Sequence, residues 1–156
     1  MNNPARRVDP QQNLQVVVER VVSAQRERVF RAWTDPVLIE KWFAPAGMTP
    51  VGVEASPVVG GSYRIGMRQP GGKTNFVSGK YIEIVPPERL VFTWAWQSDP
   101  PEAASLVTVE FFEQGSATRL VLTHVKLPDH AAQEDHRRGW EACLDQLEAN
   151  LAAGNL

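Results

Sequence analysis

The chain has 156 residues, 43% hydrophobic and 22% charged, with 16 Lys and Arg against 18 Asp and Glu for a formal net charge of -2. That length suits one domain with a substantial core. The near-neutral balance lacks the basic footprint that nucleic acid or an anionic membrane surface requires. One cysteine, Cys143, excludes an internal disulfide and fits a cytoplasmic location.

The opening MNNPARRVDPQQN has two arginines but no apolar stretch behind them, so it does not read as a signal peptide, and no later run is apolar enough to insert in a membrane. Residues 1–12 read as a disordered lead-in and 13–153 as a single domain. The β-branched run LQVVVERVV (14–22) predicts a first strand. Ser23 is then the expected cap of a short helix, AQRERVFRAWTD, with Glu27 closing the capping box and Val29, Phe30 and Trp33 on one stripe. Pro36 starts a second short helix in PVLIEKWFA, where Leu38 and Trp42 lie one turn apart.

Strand patterns follow. VGVEA (51–55) and GSYRIGMR (61–68) flank PVVGG, whose paired glycines allow a tight turn or bulge. After the turn QPGGK come NFVSGKYIEIV (75–85), the turn PPER, and LVFTWAW (90–96). The loop SDPPEAA (98–104) separates these from SLVTVEFFE (105–113) and TRLVLTH (118–124). The chain closes with AAQEDHRRGWEACLDQLEANLA, whose Trp140, Cys143, Leu144, Leu147 and Leu151 recur at helical spacing. The order β-αα-β-β-β-β-β-β-α predicts an α+β protein in which a curved antiparallel meander wraps the long C-terminal helix, with the short helices plugging one end. A sheet closing over a helix in this way leaves room between them.

Alternation assigns the faces. If PPER is the hairpin loop and Val85 pairs with Leu90, then Glu83 lies opposite Phe92, Tyr81 opposite Trp94 and Gly79 opposite Trp96. The rings of that face point inward on this reading, because large rings left in water forfeit about 150–250 Å² of burial each. A slip of one residue would exchange the faces. Pairing Phe111 with Thr118 puts Val107, Val109, Phe111, Leu120, Leu122 and His124 on one apolar inward face.

At this point the segments TDPVLIEKWFAP, PVVGGSYRI, GKYIEIVPPERLVFTW, VTVEFFEQGSATRLVLTH and HRRGWEACLDQLEANL, taken in order, resemble one family. They look like the single-domain bacterial relatives of the activator of heat-shock protein 90 ATPase, within the START and Bet v 1-like (SRPBCC) superfamily. The resemblance runs over residues 14 to 152. It implies the helix-grip fold and a hydrophobic cavity between sheet and C-terminal helix. It implies no shared catalytic set, since the superfamily spans carriers, cyclases, co-chaperones and resistance proteins. The eukaryotic activator resembles a longer protein with an additional N-terminal domain.

The expected cavity lining is Trp33, Tyr63, Tyr81, Glu83, Phe92, Trp94, Trp96, Val109, Phe111, Leu122, His124, Trp140 and Leu144. Glu83 and His124 are its polar tips, and Arg64 or Arg119 is the expected partner of Glu83. Gly139, before Trp140, fits either tight packing on a strand or a gap for a ligand. GMRQPGGKT (66–74) misses the P-loop pattern at Met67 and leads into a strand, so it reads as a hairpin turn. His124, His130 and His136 lack i, i+4 spacing among themselves, and no cysteine pair joins them, so no metal or other cofactor is expected. Cys143 reads as a small packed apolar residue. Three functions remain: binding of a small hydrophobic molecule, a co-chaperone-like interaction with a chaperone partner in a stress response, and cyclase or hydrolase chemistry with Glu83 or His124 as acid or base. Binding is the expectation, and no nucleophile elbow or Ser-His-Asp spacing argues for an enzyme.

Overall fold

The structure, a computed structural model, describes residues 14–156, and the lead-in expected over 1–12 lies outside the described residues. β1 (Val16–Val22) buries Val16, Val18 and Val22 and exposes Val17 and Val21, the period of two that a half-covered strand requires. Arg20 shares the buried parity, and its guanidinium reaches Asp145 at 2.8 Å and Glu148 at 3.1 Å on the long helix.

α1 (Arg26–Thr34) and α2 (Pro36–Trp42) follow. Ser23 does not cap α1. The N-cap is Gln25, without a side-chain bond, because Ala24 is held in the linking turn, where its carbonyl accepts from the Thr118 hydroxyl at 2.7 Å. Asp35 caps α2 by accepting from the Val37 amide at 2.9 Å, with Pro36 in the first turn. The buried residues of α2 are Ile39 and Trp42, and Leu38 is half-buried.

The remaining strands are β2 (Thr49–Ala55), β3 (Ser62–Arg68), β4 (Thr74–Val85), β5 (Arg89–Trp96), β6 (Ser105–Gln114) and β7 (Ala117–Val125), and α3 (His130–Ala152) closes the chain. The described strands form one antiparallel sheet in the order β1-β7-β6-β5-β4-β3-β2. It curls around α3, whose buried stripe is Trp140, Cys143, Leu144, Leu147 and Leu151, and the two short helices cover one end of the core. This is the helix-grip arrangement. No helix among the described residues is long and apolar enough to cross a membrane.

Two hairpins depart from the expected register with different consequences. Phe111 pairs with Leu120 instead of Thr118. That shift is even, so Val107, Val109, Phe111, Leu120, Leu122 and His124 all remain on the buried face. At the β4–β5 hairpin Val85 pairs with Arg89, Ile84 with Leu90 and Glu83 with Val91, one residue from expectation. A bulge between Tyr81 and Glu83 then adds a second one-residue shift, which makes Tyr81 pair with Phe92 and Val77 with Trp96. Beyond the bulge the two shifts restore parity, and Tyr81, Phe92 and Trp94 are buried as the alternation predicts. Between turn and bulge they do not. Ile84 faces the core, and Glu83 turns to the outer surface, where it binds Arg89 at 2.9 Å rather than Arg64 or Arg119.

Gly79 lies just before this bulge. A Cβ there would overlap the Thr93 carbonyl oxygen and stand 2.8 Å from the Tyr63 ring. The Tyr63 hydroxyl crosses that space to donate to the Thr93 carbonyl at 2.5 Å, while the Thr93 hydroxyl accepts from the Lys80 amide at 2.8 Å. The side chains of Tyr63 and Thr93 thus satisfy backbone groups that the interrupted ladder leaves free.

Candidate functional site

α3 packs closely on β1 and α2 and stands further from β3, β4 and β5. The gap is a cavity of about 810 Å³, within the range of small-molecule sites, roughly 300–1,000 Å³. Its floor is aromatic. Trp94 lies at the centre, with ring centroids 5.0 Å from Trp140, 5.8 Å from Trp96 and 6.1 Å from Phe43. Met67 and Met48 add thioether surface from β3 and from the turn before β2. On the helix side the wall is Ala132, His136, Gly139, Trp140 and Cys143, one face of α3. A Cβ at Gly139 would meet nothing within 4 Å. Of the two readings of that glycine, the gap is the one observed. Asp99 and Glu102, from the β5–β6 loop, stand with Lys126 and Asp135 as exposed charges around the space. Lys126 holds a positive φ of 66°, so its backbone occupies the left-handed region that side chains other than glycine disfavour.

Behind the floor runs a closed polar chain. The Trp140 indole Nε1–H donates to His124 Nδ1 at 3.0 Å, and His124 Nε2 lies 2.6 Å from Ser105 Oγ. Because an indole only donates, Nδ1 must accept, which places the ring proton on Nε2 and makes Ser105 the acceptor. The Ser105 hydroxyl in turn donates to the Trp94 carbonyl at 3.1 Å. His124 has 0% exposure, and burial, with His136 nearby, pushes its pKa down to about 3. It is a neutral, fully bonded core histidine.

His136 is different. Its ring lies 4.5 Å from that of His124 and edge-on to Trp94 at 6.2 Å, and it lines the cavity half-buried. Burial lowers its pKa, with Asp135 acting the other way. Burial also pushes the Cys143 thiol well up, so the protein holds it as an unreactive thiol. Among the described residues, no three histidine, cysteine or carboxylate side chains gather within a metal ion's reach.

Of the expected lining, the structure places Trp94, Trp96 and Trp140 on the cavity. Trp33, Tyr63, Tyr81 and Phe92 pack with Ile39 and Leu90 into a neighbouring aromatic layer that leaves about 10 Å³, barely the room of one water. Val109, Phe111, Leu122 and Leu144 are buried core away from the cavity, and His124 lies behind its wall. Glu83 is on the outer surface. Phe43, Met67, Asn75, His136 and Gly139 are the additions that strand and helix periodicity did not supply. A signal for the helix side was present: Ala132, His136, Gly139, Trp140 and Cys143 share one helical stripe on which small residues break an otherwise bulky face.

Fold and cavity together define a helix-grip protein of the Bet v 1-like class. A family profile described as "Activator of Hsp90 ATPase homolog 1-like protein" matches residues 23–152, and the chain belongs to that family. Solved structures agree. A protein from Chromobacterium violaceum is 30% identical with a TM-score of 0.80, covering 87% of this chain and 95% of its own. One from Silicibacter pomeroyi is 28% identical with a TM-score of 0.79, covering 90% and 99%. One from Rhizobium leguminosarum is 30% identical with a TM-score of 0.76, covering 89% and 94%. Among curated proteins, none matches this sequence.

Proposed function

We propose that the protein binds a small, mainly apolar molecule in the cavity between α3 and strands β3 to β5. The observation that carries this reading is the volume of about 810 Å³ floored by Phe43, Trp94, Trp96 and Trp140. Concave apolar space of this size with few polar groups is the usual form of a small-ligand site. Gly139 supports it further: glycine in a helix interior costs about 1 kcal/mol relative to alanine, and no neighbour needs the space it leaves. Acid–base chemistry by Glu83 or His124 has no support, since Glu83 lies outside and both nitrogens of His124 are engaged.

Native and denaturing mass spectrometry on protein purified without detergent provides the test, with a tryptophan fluorescence titration against a panel of lipophiles beside it. Retained mass in the native state, or saturable quenching that Gly139→Leu abolishes, is the expected result. A bare chain that responds to no lipophile would overturn the reading.

A further inference from the structure

Among the described residues, the cavity-lining polar groups left without a hydrogen-bond partner include the His136 imidazole and the buried indole N–H of Trp94. His124 spends both ring nitrogens on Trp140 and Ser105. The His136 ring, which meets it edge-on from the cavity side at 60°, engages no hydrogen-bond partner among the described residues. A half-buried imidazole without a partner, beside an aromatic floor, presents a polar atom where a ligand would lie.

The surroundings restrict what that ligand can be. Asp99, Glu102 and Asp135 on the lining outnumber its single ammonium, Lys126, and no arginine lines the space. An anionic ligand therefore meets net repulsion and finds no bidentate partner. An ammonium reaching His136 would leave water beside a carboxylate, Asp135, that is solvent-exposed and already paired with Arg138 at 2.7 Å. Burial keeps His136 neutral near pH 7, so it offers a lone pair as well as an N–H. Trp94 and Trp140 meet at 54°, an angle in which an aromatic ring can stack on one indole and meet the other edge-on.

Resting on the binding function proposed above, we propose that His136 is the polar anchor of the cavity and that its ligand class is a neutral, planar aromatic molecule bearing a hydroxyl group. The hydroxyl donates to the free imidazole nitrogen while the ring lies against Trp94 and Trp140.

Calorimetry at pH 7.5 with four probes of one shape tests this: naphthalene, 2-naphthol, 2-naphthoate and 2-naphthylmethylammonium. 2-Naphthol binds about tenfold more tightly than naphthalene, the ratio one satisfied hydrogen bond supplies, and at least about tenfold more tightly than either charged probe. His136→Phe retains naphthalene binding and removes the preference for 2-naphthol, whereas His136→Gln, which keeps an acceptor, restores part of it. Equal binding of naphthalene and 2-naphthol, equal or tighter binding of a charged probe, or an unchanged ratio in His136→Phe would each overturn the anchor while leaving the cavity as a binding site. If naphthalene itself fails to bind, the binding function falls and the anchor with it. Should His136→Phe not fold, the wild-type ratios and His136→Gln decide.

Discussion

Trp140 on the long helix and His124 on the penultimate element, β7, are joined by an indole N–H donated to an imidazole nitrogen at 3.0 Å, both side chains within the core. The bond orients the floor of the cavity from behind, because the same Trp140 ring that donates backward to His124 presents its other side to the open space. It also sets the histidine tautomer and so commits Ser105 and the Trp94 carbonyl to the same chain. Trp140→Phe leaves the His124 Nδ1 lone pair buried without a donor. The expected loss is about 1–3 kcal/mol from the unsatisfied acceptor, read as a lower urea midpoint at unchanged slope. An unchanged midpoint would show that the bond does not hold the helix.

Stability should fall on mild acidification. The folded pKa of His124 is about 3, against an ordinary value of 6.5. Between those values the unfolded chain binds a proton that the folded chain refuses. The contribution is therefore complete above pH 6.5 and is lost as pH drops through that window, by up to about 1.4 kcal/mol per pH unit. His136, also lowered by burial, acts in the same direction. Urea unfolding between pH 7.5 and 5.5 measures the slope before most carboxylates titrate. His124→Gln, which can accept from Trp140 and donate to Ser105, should flatten it, and an equal slope in that variant would remove His124 as its source.

Two glycine-to-alanine changes should have opposite signs. At Gly79 a methyl group overlaps the Thr93 carbonyl and crowds Tyr63, with an expected loss of at least about 3 kcal/mol. At Gly139 the methyl enters open space, and better helix propensity should stabilise the fold by about 1 kcal/mol. Thermal denaturation of the two variants gives the comparison. A destabilised Gly139→Ala would mean that α3 sits closer to the sheet than the cavity requires.

Glu83→Gln should matter little. Its ion pair with Arg89 lies between side chains that are 46% and 40% exposed, and pairs of that kind contribute less than about 1 kcal/mol. Binding of an apolar probe should be unaffected. A loss of binding in Glu83→Gln would contradict the outward orientation that the β4 bulge imposes.

The amino-acid sequence by itself determined the order of elements, the class of fold and the inward faces of β6, β7 and α3. These depend on periods of 2 and 3.6, and the two-residue error in the β6–β7 register left every side chain of that hairpin on its proper face. Tertiary structure decided what periodicity does not encode. The bulge after Tyr81 reversed Glu83, a backbone choice made where Tyr63 and Thr93 can satisfy the interrupted ladder. The separation of α3 from β3, β4 and β5 located the cavity. That separation divided rings of similar composition into packed core, as at Tyr81 and Phe92, and open wall, as at Trp94 and Trp96. It likewise set His124 and His136 apart, one with every hydrogen bond made and the other facing the space, because each histidine's role depends on which atoms the fold brings within 3 Å.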